Sequence, residues 1–361
     1  MNKPKSNLKI VILAGGAGSR LWPMSSKEKP KQFQKLISEK TLIEETYERI
    51  SFLDKKDIFV STNVKYGPTV KRLLPNLPSG NLILEPSMQD TAPSIGLAAT
   101  IISKKDPNAI MAVVYADHLI RDPKELEQKL YTAARLAEEE HTLNIIEVKA
   151  KYPNTNLGYV RIGKMLKEID GNEIYEFKEF KEKPDLKTAK RFLSSYSYLW
   201  NTGYYIWRVS DILAEFKCHL PTTYEALKEI GEACNTKNNT GKSINTFYKK
   251  CEKISIDYGI MEKVDPSRVR IIPADLGWSD IGTFASLHEE LAEDQNANVI
   301  KGNASAVECK GCLIYNEGKE KIAAFGLNGI TIAAADGKIL ICPTDRSSDL
   351  KILLKELKDE S

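Results

Sequence analysis

Residues 11–33 read VILAGGAGSRLWPMSSKEKPKQF. An apolar run opens the stretch, a glycine cluster follows, and Arg20 and Lys31 come after it among polar residues. A glycine-rich turn directly after a strand lets backbone N–H groups approach an anion and cradle phosphate oxygens. Arg20 adds a planar fork for phosphate. Lys31 adds a mobile point charge, suited to negative charge building on a phosphorus under attack. A tight strand-to-helix turn with surface charges would explain the glycines but neither the arginine nor the lysine. The stretch is not a Walker A loop, because no Gly-Lys-Ser/Thr follows at the required spacing. It is not a dinucleotide fingerprint either, because position 21 is leucine where the third glycine would stand.

Outward from this stretch, the first half of the chain alternates short apolar runs with helical patterns. Leu8–Leu13, Asp57–Thr62, Leu82–Leu84 and Ile110–Tyr115 read as buried strands. Helices are expected from Thr41 to Ile50, with Thr41 and Glu44 spaced as a capping box, from Thr91 to Lys105, and from Lys124 to Glu140. This alternation predicts an α/β fold: a Rossmann-like, three-layer domain with a mixed, mostly parallel sheet and ligands at the carboxyl ends of the strands. The middle, about 144–208, is aromatic and alternating, with strands expected at Tyr159–Gly163, Ile174–Glu182 and Tyr204–Arg208, and it reads as carrying a second ligand site. Helices return from Asp211 to Cys251. From about residue 296 the pattern becomes strand-like and glycine-punctuated. Asp336-Gly337 marks a hairpin turn, and Leu350, Leu353, Leu354 and Leu357 mark a closing amphipathic helix. The boundaries read from this are 1–295 and 296–361. The short tail is too small to be very stable alone, so it is expected to lean on the main domain or a partner chain.

Composition narrows the function. The 361 residues are 42% hydrophobic and 28% charged, an ordinary globular balance. A formal net charge of +3 without a basic stripe argues against nucleic acid as a partner. No apolar run approaches the ~20 residues needed to span a bilayer. Six cysteines, sparse and irregular, favour reduced thiols and a cytoplasmic location. Cys309 and Cys312 form a CxxC without two further ligands nearby, which falls short of a zinc site.

Gly15-Gly16-Ala17-Gly18-Ser19-Arg20-Leu21-Trp22-Pro23 followed by Pro30-Lys31-Gln32-Phe33 resembles the signature of the sugar-1-phosphate nucleotidyltransferases, in the form seen in mannose-1-phosphate guanylyltransferases (GDP-mannose pyrophosphorylases). Further blocks match the same family in order: Tyr115-Ala116-Asp117-His118, Leu157-Gly158-Tyr159, Phe180-Lys181-Glu182-Lys183-Pro184, Trp200-Asn201-Thr202-Gly203, Ser255-Ile256-Asp257-Tyr258 and Gly277-Trp278-Ser279-Asp280-Ile281-Gly282. The resemblance runs from about residue 8 to residue 356. Any one tetrapeptide would be weak, but seven blocks in register are hard to obtain by accident.

The resemblance implies transfer of GMP from GTP to mannose 1-phosphate, with loss of pyrophosphate. The nucleophile is already an anion, so catalysis is alignment plus charge neutralisation, and no Ser-His-Asp or Cys-His set is required. It assigns catalysis to Arg20, Lys31 and Asp117. Nucleotide contacts fall to Ala14, Gly15, Gly16, Gly18, Ser19, Arg20, Glu85 and Asp90. Sugar-phosphate contacts fall to Gly158, Tyr159, Glu182, Lys183 and Asn201, with Lys183 gripping the phosphate and Glu182 and Asn201 reading hydroxyls. Mg2+ would be held by Asp117 and Asp280, with Asp275 as the fallback for the second position. His118 reads as structural or as supporting Asp117. The glycine-punctuated tail resembles the family's small left-handed β-helix, often used in dimer contact, which implies a homodimer. Many bacterial relatives also carry a phosphomannose isomerase domain. This chain stops too early for one, and a single activity is expected.

Individually, each aspartate also fits a turn or helix cap, and Glu182-Lys183-Pro184 also fits a solvated strand end. The family usually carries Arg-Asn-Thr-Ala-Pro after Glu-Pro, whereas Ser87-Met88-Gln89-Asp90-Thr91-Ala92-Pro93 stands here. That leaves base choice the least secure step, with Asp90 either a guanine acceptor or the cap of the following helix. Two alternatives follow: the same chemistry on another hexose or heptose 1-phosphate or another nucleotide, and a silent sugar-nucleotide-binding regulator.

Overall fold

The structure, a computed structural model, describes residues 7–16, 18–233 and 240–359. Its strands are β1 (Leu8–Leu13), β2 (Ile58–Asn63), β3 (Leu82–Glu85), β4 (Ile110–Tyr115), β5 (Leu143–Lys149), β6 (Tyr159–Ile169), β7 (Asn172–Lys181), β8 (Tyr198–Arg208), β9 (Val269–Ala274), β10 (Val299–Gly302), β11 (Ala304–Val307), β12 (Leu313–Asn316), β13 (Ile322–Phe325), β14 (Ile330–Ala335) and β15 (Lys338–Pro343). The helices are α1 (Leu42–Arg49), α2 (Gly67–Leu73), α3 (Thr91–Lys105), α4 (Pro123–Glu140), α5 (Leu186–Ser195), α6 (Val209–His219), α7 (Pro221–Ala233), α8 (Thr240–Tyr248), α9 (Phe284–Leu291) and α10 (Leu350–Asp359).

Two compact units divide the chain. The first comprises Met1–Gly15, Tyr47–Tyr115 and Ile120–Trp278. It is a three-layer α/β unit built on a nine-stranded sheet of order β3-β2-β1-β4-β8-β5-β9-β7-β6. β1 pairs in parallel with β2 and β4, and β2 with β3, so the amino-terminal half is a continuous parallel block. Its strands read as unbroken Val/Ile/Leu runs because helices on both faces leave neither face wet. The other half is mixed: β8 runs antiparallel to β4 and β5, while β5 and β9 are parallel. Chain order reverses direction between β1 and β4, the switch point at which such sheets bind ligands. The core gathers Val11, Val113, Ile145, Trp207 and Ile271 of the sheet with Ile95 and Ala99 of α3 and Phe216 of α6.

The second unit comprises Gly16–Thr46, Ala116–Leu119 and Ser279–Ser361. Strands β10, β12 and β14 stack in parallel, β11 pairs in parallel with β13, and β15 closes the stack antiparallel to β14. The Asp336-Gly337 turn joins β14 to β15 as the sequence predicts. The unit reaches further than a boundary at 295/296 would put it, and the reason is apolar burial. Leu21, Met24, Leu36 and Leu42 share one core with Phe284, Leu287, Leu313, Tyr315, Leu340 and Leu350. Polar ties reinforce it: Lys301 Nζ donates to the carbonyls of Leu36 and Ile37, each at 2.9 Å, and Tyr315 Oη donates to Lys35 O at 2.7 Å. The tail therefore braces the segment that carries Arg20 and Lys31.

Candidate active site

In the second unit, a 3₁₀ turn over Ser19–Leu21 follows the glycines, and another over Lys31–Phe33 carries the lysine. Gly18 has φ +65, and a Cβ there would stand 2.5 Å from the Cβ of Lys31. Only glycine lets the two turns pack so closely. A Cβ at Gly15 or Gly16 would meet nothing within 4 Å among the described residues, so the backbone there lies open to a ligand. Ala14, in the first unit, is anchored instead: its N–H donates to Ser61 O and its carbonyl accepts from Thr62 Oγ1, both at 2.8 Å. Ala17 and the side chain of Ser19 lie outside the described residues.

Lys31 is the centre of the second unit's polar group. It is 4% exposed, and its ammonium donates to Asp117 Oδ2 at 2.9 Å and to the backbone carbonyl of Asp280. Burial works against ionisation of Asp117, but the Lys31 and His118 charges and the Lys31 hydrogen bond outweigh it and hold the carboxyl below its ordinary range. Asp280 Oδ1 accepts from Gly282 N–H at 3.2 Å. Arg20 Nη2 and Asp280 Oδ2 both lie against Gly282, 3.3 and 2.5 Å from where a Cβ would be. The sequence thus brings four charged groups, Arg20, Lys31, Asp117 and Asp280, into one cluster from three separate segments. Its donors toward a cation are carboxylate oxygens, the chemistry Mg2+ prefers. Among the described residues no group of three or more His, Cys, Asp or Glu gathers to hold a metal. An ion held by Asp117 and Asp280 would draw its remaining ligands from phosphate and water. Asp275, the fallback ligand, belongs to the first unit.

The first unit gathers the residues expected on the sugar side. A Cβ at Gly158 would stand 2.5 Å from Glu182 Oε2 and 3.2 Å from Asn201 Cβ. Asn201 N–H donates to Gly158 O at 2.9 Å, so the three residues form one wall. Glu182 is ion-paired with Lys183, whose own side chain remains largely exposed. Burial and the charge of Asp257 push the Glu182 carboxyl up, with Lys183 opposing.

The sequence reading gives Asp257 no role, although its tetrapeptide is one of the matching blocks. It opens a π-helical turn, Asp257–Met261, a distortion frequent at functional sites. Its Oδ1 accepts from Tyr205 Oη at 2.5 Å and from Asn201 Nδ2 at 3.1 Å. Burial raises its pKa, while those hydrogen bonds and Lys183 oppose the rise.

Three expected contacts take other duties. Tyr159 is wholly buried; its ring packs on Phe192 and its hydroxyl accepts from Asn154 N–H at 2.8 Å, so it holds the turn rather than facing a sugar. Glu85 is 6% exposed and accepts from three hydroxyls. Ser61 and Ser94 donate to Oε1 at 3.1 and 2.8 Å, and Tyr248 donates to Oε2 at 2.6 Å. Burial pushes its carboxyl up, and the three donors oppose that. These bonds tie β2, α3 and α8 together through one carboxyl. Asp90 is exposed and caps α3, accepting from Thr91 N–H at 2.8 Å, with φ 72.

The sequence model of the nucleotidyl transferase family matches residues 9–297, and that of the MannoseP isomerase/GMP-like β-helix domain matches 302–357. The chain belongs to the nucleotidyl transferase family. It is 32% identical over 351 residues to a mannose-1-phosphate guanylyltransferase of Escherichia coli, covering 96% of this chain and 75% of that one. It is also 32% identical over 352 residues to the alginate biosynthesis protein AlgA of Pseudomonas aeruginosa, covering 96% and 71%. Among solved structures, the mannose-1-phosphate geranyltransferase of Thermus thermophilus superposes with a TM-score of 0.86 at 28% identity, covering 98% of this chain and 99% of that one. Among the described residues no helix is long and apolar enough to cross a membrane.

Proposed function

We propose that the chain transfers GMP from GTP to mannose 1-phosphate, releasing pyrophosphate. The observation that carries the reading is Lys31: a nearly buried side chain whose ammonium donates to Asp117 and to the Asp280 carbonyl and whose Cβ end packs against Gly18. An ammonium with so little water around it acts on developing charge far more strongly than one on the surface. The relatives' names supply the sugar and the base.

In this reading a phosphate oxygen of the sugar phosphate attacks the α-phosphorus in line, and the bond to pyrophosphate breaks. The open backbone at Gly15 and Gly16 receives phosphate oxygens. Arg20 and Lys31 neutralise charge on the phosphoryl group, and Lys183 grips the phosphate of the sugar. Glu182 and Asn201 accept from and donate to sugar hydroxyls, while Asp257 accepts from the Asn201 amide. Mg2+, held by Asp117 and Asp280, would supply a Lewis acid that lets two anions approach each other.

The test is pyrophosphate release over a grid of nucleoside triphosphates and sugar 1-phosphates with Mg2+. GTP and mannose 1-phosphate are expected to give the highest kcat/KM, with ITP, which lacks the N2 amine, below GTP, and ATP and UTP lower still. Polar readout of a base can discriminate by ~10⁴ or more. If ATP or UTP outruns GTP, the base assignment fails. Asp90→Asn should leave the GTP-to-ITP ratio unchanged, because the cap survives that exchange almost without cost; a changed ratio would make Asp90 a base-reading residue.

Gly158 gives a second expectation. Overpacking costs about 1–3 kcal/mol. Gly158→Ala forces its methyl against Glu182 and Asn201, so KM for mannose 1-phosphate should rise about tenfold, with KM for GTP nearly unchanged. An equal rise in both would place Gly158 elsewhere.

A further inference from the structure

One buried acid lies behind the sugar-facing residues and is not called for by the reaction. Glu147 of β5 is 0% exposed. Where β5 meets β8 the register jumps: Ile146 stands opposite Tyr204, and Glu147 opposite Asn201. Thr202 and Gly203 therefore have no residue facing them on β5 and form a two-residue bulge. Such irregularities re-aim side chains and gather beside active sites.

The bulge is closed by a short set of hydrogen bonds. Thr202 N–H donates to Glu147 Oε2 at 2.8 Å. Thr202 Oγ1 donates to Ile146 O at 2.5 Å and accepts from Tyr204 N–H at 3.1 Å. Gly203, at φ 76, turns its N–H to Asn201 Oδ1 at 2.9 Å; a Cβ there would strike the Tyr115 ring at 2.5 Å. That last bond decides which way the Asn201 amide faces. With Oδ1 held by Gly203, Nδ2 is left to Asp257 and Tyr205.

Glu147 Oε1 has no hydrogen-bond partner among the described residues. Burial pushes this carboxyl well above the usual range, Asp257 adds to that, and the Thr202 amide opposes it. A buried, half-satisfied acid is costly in a sheet interior, and an apolar residue there would strand the Thr202 N–H instead.

We propose that Glu147 is a positioning residue for the sugar-phosphate site: its buried carboxyl closes the bulge of β8 and thereby fixes the direction of the Asn201 amide. The proposal rests on the reading that Asn201 meets the sugar. Wild-type pyrophosphate release from the substrate grid tests that reading by itself, and the variants are compared on the pair the wild type prefers.

Glu147→Leu, which removes the acceptor and keeps the bulk, is expected to raise KM for the sugar phosphate about tenfold. Changes in kcat and in KM for the nucleotide should stay within about twofold. Glu147→Gln keeps a carbonyl acceptor for Thr202 and should restore KM to within about twofold of wild type. If Glu147→Leu does not fold, Thr202→Val breaks the same bulge through its hydroxyl and should show the same selective rise. A Gln variant as impaired as the Leu variant, a uniform loss across all parameters, or an unchanged sugar-phosphate KM in both Glu147→Leu and Thr202→Val would each overturn the proposal. A wild type silent on every pair would overturn the functional reading and the proposal with it.

Discussion

Replacing Lys31 with alanine is expected to lower kcat by about 10²–10³ while KM for either substrate changes far less. The asymmetry follows from where the ammonium sits. It is held from two sides, by Asp117 Oδ2 and the Asp280 carbonyl, and its stem is pinned against Gly18. A group so placed costs no reorganisation when charge develops on phosphorus, so its worth is concentrated in the transition state. Steady-state kinetics with each substrate varied separately decides the matter. A near-normal kcat would remove Lys31 from the chemistry. A large rise in KM for GTP with kcat unchanged would make it a ground-state phosphate contact.

The aspartates are expected to show the other large effect. Asp117→Asn and Asp280→Asn should each abolish turnover without unfolding the chain, and EDTA should silence the wild type. Asparagine preserves the shape and one acceptor oxygen, so the chain should still fold, although Asp117→Asn should lower the melting temperature because the buried Lys31 ammonium loses its counter-charge. What disappears is the negative charge that would hold the ion. If the two carboxylates share one ion, the double variant should be no worse than either single one, because the second change removes nothing that still functions. Additive losses would mean two independent roles. Full activity in EDTA would take the metal out of the mechanism.

Much of this is legible in the sequence, for identifiable reasons. The parallel block β1–β4 announces itself because strands buried on both faces must be written as unbroken apolar runs. Gly18, Arg20 and Lys31 announce themselves because a surface turn has no need of that combination. Asp117 and Asp280 stand in short blocks directly after a strand and a turn. The contacts that do not show in the sequence share a different cause. Glu85 looks available because it ends a strand, yet it accepts from hydroxyls of residues 61, 94 and 248. No local pattern signals such a convergence. Tyr159 resembles a ligand contact until Phe192 and Asn154 are seen to enclose it. Strand β8 reads only from Tyr204 onward because Asn201-Thr202-Gly203 has the composition of a turn. It is a bulge inside a strand that begins at Tyr198. Glu147 draws no attention because a single glutamate in an apolar strand normally marks a solvent-facing position.

The second unit is assembled from three stretches of chain, and this has a consequence for the order of events at the ribosome. The glycine turn and Lys31 emerge early, but the carbonyl of Asp280 lies 249 residues downstream of Lys31. At ~5–20 residues per second, about 12–50 s of synthesis separate the two. Throughout that interval the ammonium stays hydrated, and the apolar Leu21, Met24, Leu36 and Leu42 wait without the tail residues that later cover them. The Lys31 site is thus completed only by residues made long after it. A nascent or truncated chain lacking them would hold an unformed lysine site and a sticky amino-terminal segment, so early termination should yield insoluble, inactive fragments rather than a partial enzyme.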